Sequence, residues 1–210
     1  MTAIIDYGVG NLFSLACSFK AVGAEAVLTS DPEVIKAADR LVLPGVGAFR
    51  DAAAKLKESG LWELVKEQAA GGKPLLGICL GMQLLLDKSL EFGEYEGLGL
   101  IPGVVRPIAE IIPEGLKIPQ MGWNKLEFTG ESPIFDGTPE GAYMYFVHSY
   151  YCDAPAEYVS AVTEYGAPVT ASVRKDNVYG CQFHPEKSGD AGLAVLKRFC
   201  ELQTRERENV

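Results

Sequence analysis

Gly77-Ile78-Cys79-Leu80-Gly81 sets a thiol between two glycines, after the apolar run Pro74 to Ile78 and before the helically spaced segment Leu80 to Lys88. This is the spacing of a nucleophile elbow with Cys in the place of Ser. The turn of such an elbow is tight, so the flanking residues must be small enough for backbones to approach. The sulfur then stands at a helix N-terminus, where free N–H groups and the helix dipole favour negative charge and can bind an oxyanion. Spacing alone leaves a second reading open, in which Cys79 is a small buried hydrophobe, the usual fate of an unpaired cysteine. Cys17, Cys152, Cys181 and Cys200 lack this context and are assigned to packing.

A cysteine nucleophile needs a base, and the chain has only His148 and His184. Phe183-His184-Pro185-Glu186 follows the apolar run Val178 to Gln182. Residues two apart in an extended chain point to one side, so His184 and Glu186 lie together. Pro185 lacks an N–H and ends strand pairing there. The pattern suits a histidine that takes the thiol proton while Glu186 orients its other nitrogen. The competing reading is a surface histidine beside a solvated glutamate. His148, inside Met144 to Tyr151, reads as a core or backbone-bonded histidine rather than a second base.

Two glycine segments also follow apolar runs. Pro44-Gly45-Val46-Gly47-Ala48-Phe49 bares backbone N–H groups that would supply half of an oxyanion hole. Gly45 accepts dihedrals other residues cannot, which would also let the peptide between it and Val46 rotate and gate the hole. Taken alone, the segment reads as an ordinary strand-to-helix turn. Tyr7-Gly8-Val9-Gly10-Asn11 resembles a phosphate-cradling turn, but it lacks the third glycine of the dinucleotide fingerprint and any Walker lysine. Trp123 and Tyr145 fit a core or an interface equally well.

The elements that must position these groups alternate in the first half. Short apolar runs at Ala3 to Asp6, Ala26 to Leu28, Leu41 to Leu43 and Pro74 to Ile78 read as strands. Helical spacing appears at Asn11 to Val22, after Ser30-Asp31-Pro32-Glu33, over Phe49 to Ala70 with a break near Gly60, and over Leu80 to Lys88. Such alternation implies parallel strands covered by helices. From Leu90 to Asp136, Gly and Pro interrupt short extended pieces. Tyr143 to Tyr151, Val159 to Thr163, Val169 to Val173 and Val178 to Phe183 read as strands, with a hairpin tip at Lys175-Asp176-Asn177, and Ala191 to Gln203 as a last helix. The expected fold is α/β: an open, mostly parallel sheet flanked by helices, with an antiparallel extension in its second half, as one domain over residues 1–210.

The composition fits that fold and narrows the partners. Of 210 residues, 48% are hydrophobic and 22% charged, and 19 Lys and Arg against 28 Asp and Glu give a formal net charge of −9. An acidic chain without a basic run has no footprint for nucleic acid or for anionic membranes. The start, Met1-Thr2-Ala3-Ile4-Ile5-Asp6, has neither the basic region nor the apolar run of a signal peptide, and no apolar stretch is long enough to span a bilayer. Five cysteines without CxxC spacing suit a reducing cytoplasm and argue against disulfides and zinc.

Taken together, Gly77-Ile78-Cys79-Leu80-Gly81-Met82-Gln83 and Phe183-His184-Pro185-Glu186 resemble the class I, triad-type glutamine amidotransferases. Tyr7 to Asn11, Pro44 to Phe49, Gly97 to Gly103, Met121-Gly122-Trp123-Asn124, Tyr145 to Tyr150 and Pro185 to Gly189 narrow the resemblance to the glutaminase subunits of imidazole glycerol phosphate synthases, over Ala3 to Gly189. The resemblance implies catalysis by Cys79, His184 and Glu186, with an oxyanion hole at Val46 and Leu80. It places the amino-acid part of glutamine on Gly45, Gln83, Ser149 and Tyr150. It implies a (β/α)8-barrel cyclase partner, in a heterodimer of histidine biosynthesis, meeting Asn11, Met121, Trp123, Tyr145 and Lys187. That barrel takes about 250 residues, so the partner is expected as a separate chain. No cofactor and no metal are implied.

Overall fold

A computed structural model describes residues 1–203. In chain order the first half is β1 (Thr2–Ile5), α1 (Leu12–Ala21), β2 (Ala26–Thr29), α2 (Pro32–Ala37), β3 (Arg40–Leu43), α3 (Phe49–Glu58), α4 (Leu61–Ala70), β4 (Leu75–Ile78) and α5 (Leu80–Leu84). The second half is β5 (Lys88–Ser89), β6 (Tyr95–Glu96), β7 (Val104–Pro107), β8 (Gln120–Lys125), β9 (Glu127–Phe128), β10 (Tyr143–His148), β11 (Tyr150–Asp153), β12 (Val159–Glu164), β13 (Pro168–Lys175), β14 (Val178–Cys181) and α6 (Gly189–Glu201).

The main sheet runs β2-β1-β3-β4-β14-β13-β12-β9. Its pairs are parallel from β2 to β14 and antiparallel from β14 to β9. The mostly parallel sheet and its antiparallel extension are therefore one continuous layer. The central strands are apolar throughout because helices cover both faces. Along β1, Ala3 and Ile5 join a core with Ile35, Leu56 and Val65, whereas Ile4 between them faces Phe19, Val195 and Phe199. Leu41 and Leu43 divide from Val42 in the same way. The period of two thus builds two cores, one under α2, α3 and α4 and one under α1 and α6.

Local signals set several boundaries. Asp31 caps α2, its side chain accepting the Glu33 N–H at 2.9 Å, with Pro32 in the first turn. Gly60, at φ +74°, breaks the long helical stretch into α3 and α4. Asp176, at φ +54°, makes the hairpin tip between β13 and β14.

Two expected elements differ. The helix expected over Leu80 to Lys88 ends at Leu84, because the segment after Gly97 takes its carbonyls. Leu98 N–H donates to Leu84 O at 2.8 Å, Leu100 N–H to Leu85 O at 2.9 Å, and Gly99 N–H to Leu86 O at 3.0 Å. A Cβ on Gly97 would stand 2.0 Å from Leu86 O, so this approach needs glycine. The single strand expected over Tyr143 to Tyr151 is two. β10 pairs with β8, and β11 joins β7, β5 and β6 in a separate small sheet. The chain changes sheets at Ser149, whose carbonyl accepts the Ile108 N–H. No helix among the described residues is long and apolar enough to cross a membrane.

Candidate active site

Strands β4 and β14 lie side by side and parallel, with Ile78 opposite Cys181. Their carboxyl ends therefore leave the sheet together, where open α/β sheets bind ligands. The Cys79 N–H donates to Cys181 O at 2.8 Å and locks the two ends. Cys79 has φ 55° and ψ −110°. For a residue with a Cβ this costs about 1–3 kcal/mol and persists only when the surroundings impose it. Here they do: a Cβ on Gly77 would lie 2.6 Å from Gly81 O, and one on Gly81 would lie 1.8 Å from Leu43 O. Both glycines of the elbow are needed for close approach.

His184 follows β14, its N–H bonded to Tyr145 O at 2.9 Å and its carbonyl accepting the Ser188 hydroxyl. Its Nδ1 is 2.8 Å from Glu186 Oε1, and both side chains are 3% exposed. The competing picture of a surface pair is excluded by that burial. Burial works against the imidazolium, but hydrogen bonds to Cys79 and Glu186 and the charges of both overcome it and lift His184 to about 9. With Nδ1 committed to Glu186, Nε2 is left for the thiol.

These groups open on a cavity of about 490 Å3 lined by Cys79, Leu80, His184, Gln83, Val46, Gly47, Ser149 and Tyr150. Glu186 sits behind His184. Two further residues at the site, Glu91 and Gln182, were not among those the sequence singled out. Glu91, at the cavity wall, is a half-buried carboxylate. Gln182 is fully buried; its Nε2 donates to Cys79 Sγ at 3.6 Å and its Oε1 accepts from Gln83 Nε2 at 3.1 Å. His148 also lines the cavity, but its Nδ1 donates to Tyr150 O at 2.8 Å, the backbone-bonded role expected of it.

A family model for glutamine amidotransferase class-I matches residues 3–202. The chain belongs to this family. It is 52% identical over 203 residues to the imidazole glycerol phosphate synthase subunit HisH of Methanothermobacter thermautotrophicus, covering 96% of this chain and 98% of that protein. The subunit of the same name from Streptococcus sanguinis is 49% identical over 201 residues, with 96% of each chain covered. Among solved structures, PurLQS from Thermotoga maritima superposes with a TM-score of 0.74 at 17% identity, covering 95% of this chain and 97% of that one. A crystal structure of a glutamine amidotransferase superposes with a TM-score of 0.74 at 20% identity, covering 95% and 99%. These two structures share the fold.

In this amidotransferase the glycines of the Pro44 loop divide their work. Gly47, not Gly45, takes the left-handed conformation, at φ +94°. Gly45 is held to glycine by proximity, since its Cβ would stand 2.9 Å from Gly81 N. Gly47 and Val46 line the cavity; Gly45 lies beneath, against the elbow. Trp123 and Tyr145 are not core residues. Trp123 is 52% and Met121 62% exposed, the Trp123 and Tyr145 rings meet edge-on at 6.0 Å, and Lys187 Nζ lies 5.7 Å from the Tyr145 ring. Asn11 opens α1, which packs near the 185–187 turn.

The second histidine yields an acid-stability prediction. Burial drives His148 down to about 4, with the His184 charge adding to it and the bond to Tyr150 O opposing it. Between pH 4 and 6.5 the unfolded chain therefore binds a proton that the folded chain refuses, so the neutral histidine's contribution is complete above 6.5 and lost as pH falls towards 4. His148→Gln is expected to flatten the fall in stability over that window, by at most about 1.4 kcal/mol per pH unit, the slope of one proton. Denaturant titrations at stepped pH measure it; an unchanged slope would refute a neutral buried His148.

Proposed function

We propose that this amidotransferase is the glutaminase subunit of an imidazole glycerol phosphate synthase in histidine biosynthesis, with Cys79, His184 and Glu186 as its triad. The observation that carries the chemistry is the buried His184–Glu186 pair beside a strained elbow cysteine, in a chain half identical to synthase subunits along nearly its whole length.

The assignment gives each group one task. His184 Nε2 takes the Cys79 proton, and the sulfur attacks the side-chain amide carbon of glutamine. The N–H groups of Leu80 and Val46 stabilise the oxyanion that forms. The imidazolium, held by Glu186, returns the proton to the leaving nitrogen as the C–N bond breaks, and ammonia departs. Water, deprotonated by His184, then opens the thioester to give glutamate and free thiol. Glu91 offers a carboxylate to the substrate's α-ammonium, and Gln83 with the Ser149–Tyr150 backbone holds the rest of the amino acid. Gln182 steers the sulfur.

The ammonia goes to a (β/α)8-barrel cyclase docked on the face formed by Asn11, Met121, Trp123, Tyr145 and Lys187. Aromatic anchors flanked by a cation are typical of interface centres. Mixed with such a cyclase, the chain is expected to form a one-to-one complex that makes imidazole glycerol phosphate from glutamine. Because hydrolysis without a loaded cyclase wastes glutamine, the isolated chain is expected to be nearly inactive. The cyclase's nucleotide ligand is expected to raise kcat by about 100- to 1,000-fold, the worth of one oxyanion donor. Glutamate release at saturating glutamine, titrated with the nucleotide, tests this. A flat response defeats the gate, and failure to form the complex defeats the synthase assignment.

A further inference from the structure

The turn after β1 looked like a phosphate cradle, yet its Tyr7 and Gly10 pack on the Pro44 loop instead. Tyr7 is 5% exposed, and its hydroxyl donates to Pro44 O at 2.7 Å. A Cβ on Gly45 would meet Tyr7 Oη at 3.0 Å, Leu80 Cβ at 3.0 Å and Gly81 N at 2.9 Å. A Cβ on Gly10 would meet Pro44 Cβ at 3.1 Å. The phenol oxygen therefore stands beside the point where Gly45, next to Val46, packs against the elbow carrying Leu80. The far end of the loop is tied as well, since the Phe49 N–H donates to Glu91 Oε2 at 2.6 Å. Between these ties Val46 is 44% exposed and Gly47 takes its left-handed turn. The loop is thus fixed at its ends and free in its middle.

We propose that Tyr7 is a positioning residue for the oxyanion loop: by holding the Pro44 carbonyl, its hydroxyl sets the spacing between the Val46 and Leu80 N–H groups. The proposal rests on the assignment of those two groups as the oxyanion hole. Tyr7 does not line the cavity, so it acts through the loop and not on the substrate. Burial, with the neighbouring Cys79 adding to it, pushes the phenol's titration far upward, so the hydroxyl stays a neutral donor. Removing the oxygen frees the Pro44 end of the loop while leaving the ring to fill its place. Misplacing a reacting or stabilising group by an ångström costs about 100-fold in rate.

The test uses the complex with the cyclase and its nucleotide ligand. Tyr7→Phe is expected to lower kcat for glutamine about 10- to 100-fold, with KM held within about twofold. Alkylation of Cys79 by iodoacetamide serves as the reference reaction. There the sulfur–carbon bond forms as iodide leaves with its electron pair, and no oxyanion develops. Its rate and pH profile, read on the Cys79 peptide by mass spectrometry because the exposed Cys17 would be alkylated too, are expected to be unchanged in Tyr7→Phe. An unchanged kcat, or alkylation slowed in parallel with hydrolysis, overturns the proposal. Val46→Pro removes the loop's N–H and separates the two assignments. If Val46→Pro lowers kcat and Tyr7→Phe does not, the positioning role alone fails. If Val46→Pro leaves kcat intact, the oxyanion reading fails and the proposal with it.

Discussion

Replacement of Cys79 by alanine is expected to abolish glutamine-dependent synthesis by the complex while leaving synthesis from added ammonium salt intact. On the proposed mechanism the sulfur supplies the bond that splits amide hydrolysis into two steps, and no other thiol lines the cavity. The other buried thiols, Cys152 and Cys181, lie outside the cavity lining, and burial pushes both away from the thiolate form. A loss on the order of 10⁶ in kcat is the scale for a nucleophile in a cooperating unit. The substitution keeps the Cβ, so it neither relieves nor worsens the strain at φ 55°, and the fold and docking face are expected to survive. Ammonia-driven turnover supplies the control, because it needs the partner's chemistry and the complex but not the thiol. Glutamate release close to the wild-type rate would remove Cys79 from its role. Loss of both activities would show instead that the complex had fallen apart.

The legible parts of this site were those written in short spacing. Gly77-Ile78-Cys79-Leu80-Gly81 names its own geometry, because each glycine answers a contact within a few residues or on the adjoining strand. His184 and Glu186 were legible because an extended chain puts alternate residues together. The parts that escaped depend on distant segments. Nothing near Leu84 says that its carbonyl will be taken by Leu98, and Tyr143 to Tyr151 carries no mark of a change of sheet at Ser149. Glu91 is one acidic residue among many until the fold brings it to the cavity. Gln182 looks like part of a strand until its amide is seen between Gln83 and the sulfur. The Tyr7 turn misled for a related reason: its Gly10 serves close packing against Pro44, and a phosphate turn uses glycine for much the same close approach.

His184→Ala is expected to be about as damaging as Cys79→Ala, and the double variant no worse than either, because members of one catalytic unit are not additive. Glu186→Gln keeps the shape and removes the charge, so its loss is expected to be about 10- to 100-fold smaller. The two variants also differ in a readout that activity does not supply. His184 is held near 9 although burial opposes it, because Cys79 and Glu186 bond to it and favour its charged form. A folded-state value above the ordinary 6.5 means that the stabilisation is complete below about pH 6.5 and is lost as pH rises through about 9. The Glu186→Gln amide has no charge with which to hold the imidazolium, and its NH2 falls where Glu186 Oε2 is buried without a hydrogen-bond partner among the described residues. The wild type should therefore be more stable than Glu186→Gln by its widest margin near pH 6.5, and the margin should narrow towards pH 9 and above. Thermal unfolding of both proteins across that range measures it. A margin that stays level would mean that Glu186 contributes packing alone and that the imidazolium draws its support from the sulfur. In that case the kinetic gap between Glu186→Gln and His184→Ala should widen beyond the range given above, since the base would keep its protonation without its carboxylate.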